Sequence, residues 1–205
     1  MIRNRIFVAA AAVAAVGGVA FAQDLGLTRT PAQVQAGDYV LDPAHGKISW
    51  SVSHMGFSTY VGQFTDVSAR LRLDPADPAA SRLTAEAKTA SVGTLNPALD
   101  AHLRTADFLD TANHPIARFQ ATGIRRTDAD SAEIDGDLTL RGVTRPITIA
   151  ADFNQAGINP VDKAYTIGFD GKARIRRSEF GIAYGLPLLG DEVTLHFEAE
   201  FKRAA

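Results

Sequence analysis

In EVTLHFEAEFK, near the end of the chain, Val193, Leu195, Phe197, Ala199 and Phe201 fall on one side of an extended backbone. Thr194, His196, Glu198, Glu200 and Lys202 fall on the other. Side chains alternate across a strand, so this spacing predicts a strand with one dry and one wet face. The same period of two recurs in GKISWSVSH, VSARLRLD, RLTAEAKT, ARFQATGI, AEIDGDLTL, PITIAADFN and YTIGFDGKARI. Between them lie turn-forming clusters such as 128–131, 154–162 and 185–191. The result is about eight strands, nearly all half-polar.

A sheet of such strands is solvated on one face and must bury the other. The sequence offers no series of amphipathic helices to cover it, so the sheet has to fold onto itself. The predicted fold class is therefore all-β, an eight-stranded antiparallel barrel, since closure also removes the sheet edges. A two-sheet sandwich of the same strands has the same periodicity. Small residues on the inward face, among them Ala69, Ala85, Ala87, Ala121, Ala151, Ala173 and Ala199, favour a barrel with space inside.

The N-terminal end of the chain does not alternate. Arg3 and Arg5 precede an uncharged run from Ile6 to Val19, and Ala20-Phe21-Ala22 forms an A-x-A cleavage site. Residues 1–22 read as an export signal, too short and too rich in Ala and Gly for a membrane span. Residues 23–37 (QDLGLTRTPAQVQAG) read as a tether with a local cap, and 38–203 as the barrel. The chain has 21 Lys+Arg against 23 Asp+Glu, and the signal removes two arginines, so nucleic acid is not an expected partner. There is no cysteine, which excludes disulfides, thiolate metal sites and acylation on Cys.

One internal stretch also breaks the pattern: HLRTADFLDTANHP, residues 102–115. Asn96-Pro97 is a good helix start, and Leu99, Leu103 and Phe108 share a side. The reading is a helix over 97–108 followed by a loop, packed on one end of the barrel with Leu103 and Phe108 as plugs.

Five strings then fall in a distinctive order: YVLDPAHGKISWSVSHMGFSTYVGQF, SVGTLNPALDAHLRTADFLDTANHPIARF, GDLTLRGVTRPITI, RRSEFGI and GDEVTLHFEAE. Together they resemble the YceI-like family of periplasmic polyisoprenoid-binding proteins over 39–201. The matching positions include His45, His54, Gly62, Phe64, His102, Leu103, Arg104, Phe108, Phe119, Gly136, Arg177, Ser178 and Phe180. Two positions depart from the pattern: Phe108-Leu109 replaces an aromatic pair, and Gly46 replaces a usual Ser. The resemblance implies a lipocalin-like barrel holding a long isoprenoid chain in its lumen, with no established catalytic reaction.

The expected wall of the ligand site is Trp50, Val52, His54, Phe64, Leu103, Phe108, Phe119, Phe153, Phe169, Phe180 and Phe197. Arg104 and Arg177 are expected at the mouth as donors to a polar head. Burial of each CH₂ contributes about 0.8 kcal/mol, so an isoprenoid of roughly twenty carbons is held without polar chemistry. The alternatives are a small hydrolase built on Ser178 or a histidine metal site, and a filled barrel without ligand. No G-x-S-x-G elbow frames Ser178, and the five histidines show no ligand spacing. No catalytic residue, metal or cofactor is expected. The expected partners are a long-chain isoprenoid or similar apolar lipid and, transiently, a membrane, with homodimer formation left open. The expected location is the periplasm.

Overall fold

The computed structural model describes residues 25–204, so the export signal expected over 1–22 lies outside the described residues. Among the described residues, ten strands, one α-helix and four short 3-10 turns form the fold. The strands and the helix are β1 (Gly37–His54), β2 (Ser58–Phe64), β3 (Val67–Leu73), β4 (Arg82–Lys88), β5 (Val92–Gly93), α1 (Pro97–Leu103), β6 (Ile116–Arg126), β7 (Ser131–Leu140), β8 (Val143–Ile158), β9 (Tyr165–Arg176) and β10 (Leu189–Arg203). The sheet order is β10-β9-β8-β7-β6-β4-β3-β1-β2-β5, and β10 pairs with β1 to close it.

Ten strands make only eight staves. β2 and β3 pair with successive parts of β1, Ser58–Phe64 with His54–Ile48 and Arg70–Leu73 with Val40–Gly37, and only Thr65-Asp66 separates them. β4 and β5 likewise form one stave, interrupted by the 3-10 turn Thr89–Ser91. The closing pairing runs from Tyr39↔Arg203 to His54↔Leu189. This ladder, which spans both strands despite a bulge, separates a barrel from a sandwich, which strand periodicity alone could not do.

β2 did not stand out in the sequence because Gly62 interrupts its inward series of Tyr60 and Phe64. Its register explains the glycine: Gly62 lies opposite Trp50, and a Cβ there would overlap the indole. Gly136 on β7 does the same for the ring of Phe119. The barrel thus seats two large inward rings against bare backbone.

β1 bulges against β10 between Leu41 and Gly46. The Leu41 side chain packs where a Cβ of residue 46 would stand, with its Cδ2 only 2.5 Å from that position. The Gly in place of Ser thus leaves room for Leu41.

The barrel ends differ. One is crossed by residues 25–36, which include the 3-10 turn Pro31–Gln33. Thr28 bridges Ala156, Val34 joins the core around Phe153 and Phe201, and the Tyr39 hydroxyl donates to Gln35 O at 2.5 Å. From Leu25 onward the stretch read as a tether is packed on the barrel. The other end carries α1, the β1–β2 turn, the β7–β8 turn and the β9–β10 connection.

α1 is shorter than expected, ending at Leu103 rather than Phe108. Asn96 caps it through Leu99 N, but Thr105 Oγ1 donates back to His102 O at 2.8 Å and competes with continued helix. Residues 105–114 continue as turns in which Leu109 N and Thr111 N reach back to Leu103 O and Arg104 O.

Candidate functional site

Inside the staves lies a cavity of about 560 Å³, within the usual range for ligand pockets. Its wall is mainly aliphatic and aromatic and extends from Val34 at one end to Leu103, Phe108 and Tyr184 at the other. Of the small inward residues, Ala69, Ala85, Ala87, Ala151 and Ala199 line it, and these provide the space. Ala121 and Ala173 pack instead with Phe119 and Ile149 in the middle of the core.

The structure brings Trp50, Val52, His54, Phe64, Leu103, Phe108, Phe119, Phe153, Phe169, Arg177 and Phe197 onto this wall. Phe169 stands 5.7 Å from Phe153 and 6.3 Å from Phe201, ring centre to ring centre. Trp50 is buried, and its Nε1 has no hydrogen-bond partner.

Arg104 and Phe180 do not reach the wall. The Arg104 guanidinium donates to Ala90 O at 2.9 Å and Val92 O at 3.0 Å, so it ties the end of α1 to the β4–β5 stave. Phe180 is almost fully buried in the core cluster that contains Leu140, Ile175 and Ile182. Arg177 also departs from the expected role. Its Nε donates to Gly190 O, its Nη1 to Ile182 O and Tyr184 O, and its Nη2 to Leu189 O, at 2.7 to 3.1 Å. Four of the five guanidinium N–H bonds are thereby used to hold the β9–β10 connection. Burial lowers the Arg177 pKa, and Asp191 opposes that shift.

At the α1 end, His102, Phe108 and Tyr184 form a triangle of rings. The His102 ring stands edge-on to both others at 5.0 Å, and Phe108 and Tyr184 are 5.1 Å apart. His102 Nε2 lies 2.9 Å from Asp107 Oδ2, which fixes the ring. His54, also on the wall, is 6.2 Å from Tyr60. His114 is elsewhere, against Gly142 and 3.8 Å from Asp110.

Tyr60, Tyr184, Ile182 and Leu189 are wall residues that sequence reasoning missed. Ile182, Tyr184 and Leu189 share a signal, the uncharged apolar loop GIAYGLPLLG, which read only as turn chemistry, whereas Tyr60 lies on β2.

The alternatives with chemistry find little geometry. Ser178 Oγ donates to Asp191 Oδ2 at 2.7 Å, its N–H bonds the other carboxylate oxygen, and no histidine contacts it among the described residues. Asp42, His45 and Glu200 lie close enough together to hold a metal ion. They stand at the β1 bulge, however, and Lys202 Nζ sits 2.7 Å from Asp42 Oδ2 and 2.6 Å from Asp162 Oδ2. The Asp42 carboxylate is therefore already paired with a cation, which it shares with Asp162. Hydrogen bonds from Lys202 and His45 hold the Asp42 carboxyl well below the ordinary carboxylate range, and Asp42 with Glu200 raises the His45 pKa.

A closed antiparallel barrel around an apolar chamber, capped by a short helix, belongs to the class of small closed β-barrels. The YceI-like domain model matches residues 39–201. A UPF0312 protein of Azotobacter vinelandii is 39% identical over 170 residues, covering 82% of this chain and 88% of the relative. The crystal structure of the Campylobacter jejuni YceI protein is similar at 30% identity and a TM-score of 0.67, covering 75% of this chain and 90% of that one. A polyisoprenoid-binding domain from Saccharophagus degradans shares the fold at 12% identity and a TM-score of 0.60, covering 83% of this chain and all of the domain. The chain belongs to the YceI-like family.

Proposed function

We propose that this protein is an exported, periplasmic carrier that holds a long-chain isoprenoid, of polyprenyl or quinone type, in the barrel lumen. The observation that carries the reading is the apolar cavity of about 560 Å³ inside the closed staves. Its family membership and its likeness in fold to a polyisoprenoid-binding domain support the same ligand class. Binding draws on apolar burial, at about 0.8 kcal/mol per CH₂, and leaves head-group selectivity modest. The reading is of a binding protein rather than an enzyme, and it includes transient contact with the membrane that supplies or receives the lipid.

Organic extraction of the protein purified from its native compartment, followed by mass spectrometry, tests the ligand. A co-purifying isoprenoid is the expected result. Repeated recovery of empty protein that also takes up no added polyprenol would defeat the proposal. The intact mass of the exported form is expected to begin at Gln23.

A further inference from the structure

The α1 end of the barrel keeps large apolar side chains in water. Of eight exposed large hydrophobics among the described residues, Met55, Phe57, Val61, Leu95, Tyr184 and Leu188 belong to the segments of this end; Val40 and Val161 lie towards the other. Phe57 is 89% and Leu188 67% exposed, so neither is core that the fold failed to cover.

Three segments supply this rim, residues 48–65, 89–99 and 180–190, and none contains Asp, Glu, Lys or Arg. The first and third are joined where Met55 N donates to Leu188 O at 3.0 Å. Leu95 follows β5, which pairs with β2, the strand of Val61. The charged groups of this end flank these segments: Asp100, Arg104, Asp107 and Asp110 on α1 and the turns after it, Arg141 on the β7–β8 turn, and Arg177, Glu179 and Asp191 where the β9–β10 connection leaves and rejoins the strands.

The rim is also continuous with the lumen. Tyr184 lines the cavity and is 48% exposed, so its ring spans the boundary between chamber and solvent. Continuous exposed apolar surface of this kind marks an interaction site. A second copy docked here would set mouth against mouth and shut both. A bilayer would instead give an apolar cargo a path that never enters water. Uncharged loop tips suit that partner, because charges are the costly residues to bring into lipid while Phe, Met and Leu insert readily.

We propose that Met55, Phe57 and Leu188 form a docking surface for an uncharged bilayer interface, with the barrel mouth facing the lipid. The purpose of the contact rests on the carrier reading, but docking itself is measured without cargo. The test is co-sedimentation of the purified protein with pure phosphatidylcholine vesicles at low and high salt. Wild-type protein is expected to bind with little salt dependence, since apolar insertion is not screened. Phe57→Ser with Leu188→Ser should lower the bound fraction at least fivefold, with circular dichroism unchanged. Val161→Ser, at the opposite end, should bind as wild type does.

Absence of wild-type binding, or equal binding by the Phe57/Leu188 variant, would overturn the proposal. So would a dimer in sedimentation velocity that Phe57→Ser dissociates while vesicles remain unbound, since the rim would then face a second copy. Mass spectrometry of native cargo separates this outcome from the carrier reading. Protein that carries isoprenoid but ignores vesicles loses only the docking surface, and protein that docks but carries nothing loses only the cargo.

Discussion

Phe169 shows how a single side chain can separate lumen from core. It is only partly buried and contacts Phe153 and Phe201 across the wall, with the cavity on its free side. Phe169→Val removes packing on one side only. It should alter lipid uptake strongly while costing less than the roughly 2 to 5 kcal/mol expected of a filled core. Thermal melts and uptake assays on the same variant check this, and a large stability loss with unchanged uptake would count against the lumen. Asp42 gives a pH prediction. Its carboxyl is only 8% exposed and accepts from Lys202, His45 and Ala44 N. Its folded pKa lies below the ordinary value of 3.8, so its contribution is present above that value and is lost as pH falls below it. His45 works in the opposite direction: its pKa is raised above 6.5, so its contribution is complete below 6.5 and fades as pH rises through the raised value. Asp42→Asn should therefore lower the melting temperature at pH 6 and flatten the acid limb of the stability curve below about pH 4. An unchanged acid limb would mean that other carboxylates set it. None of this was legible in the sequence, where Asp42, His45, Asp162 and Lys202 are scattered; the β1 bulge and the β1–β10 register bring them together.

At the scale of elements, α1 and the turns after it cover one end of the cavity. Leu99, Leu103 and Phe108 all line the cavity, even though the helix stops at Leu103 and the turns carry Phe108 there. The three residues that the sequence spacing put on one side all face the cavity. The spacing missed their partner Tyr184, which comes from the β9–β10 connection held by Arg177. Leu103→Ala and Phe108→Ala should each speed release of bound lipid by roughly tenfold, equivalent to about 1.4 kcal/mol of lost contact. His114→Ala should leave release unchanged, since His114 packs on Gly142 away from the chamber. Stopped-flow release of a fluorescent polyene lipid measures all three. Equal rates in the Phe108 variant and the wild type would mean that this cover does not retain the lipid.

For the whole molecule, a ligand that binds only the folded barrel must stabilise it. Loading at about 100 times Kd adds about 2.7 kcal/mol, so protein stripped of lipid should melt several degrees below loaded protein. Identical melting curves with demonstrated uptake would place the lipid on the surface instead of the lumen. Most of the strands and their inward faces were determined by sequence alone, because a period of two with one polar face requires the other face to be buried; closure into a barrel rather than a sandwich was decided by the β1–β10 pairing. The apolar character of the wall, from Trp50 to Phe197, was also determined by sequence. Which arginines serve the ligand was decided only in three dimensions. Arg104 and Arg177 look alike as mouth residues in the sequence, yet both are turned to main-chain carbonyls whose positions depend on how distant loops pack. The rim was decided there too. Whether Phe57, Leu95 and Leu188 are buried or face water depends on which ends of which strands meet, and that is a property of the closed barrel rather than of any segment in it.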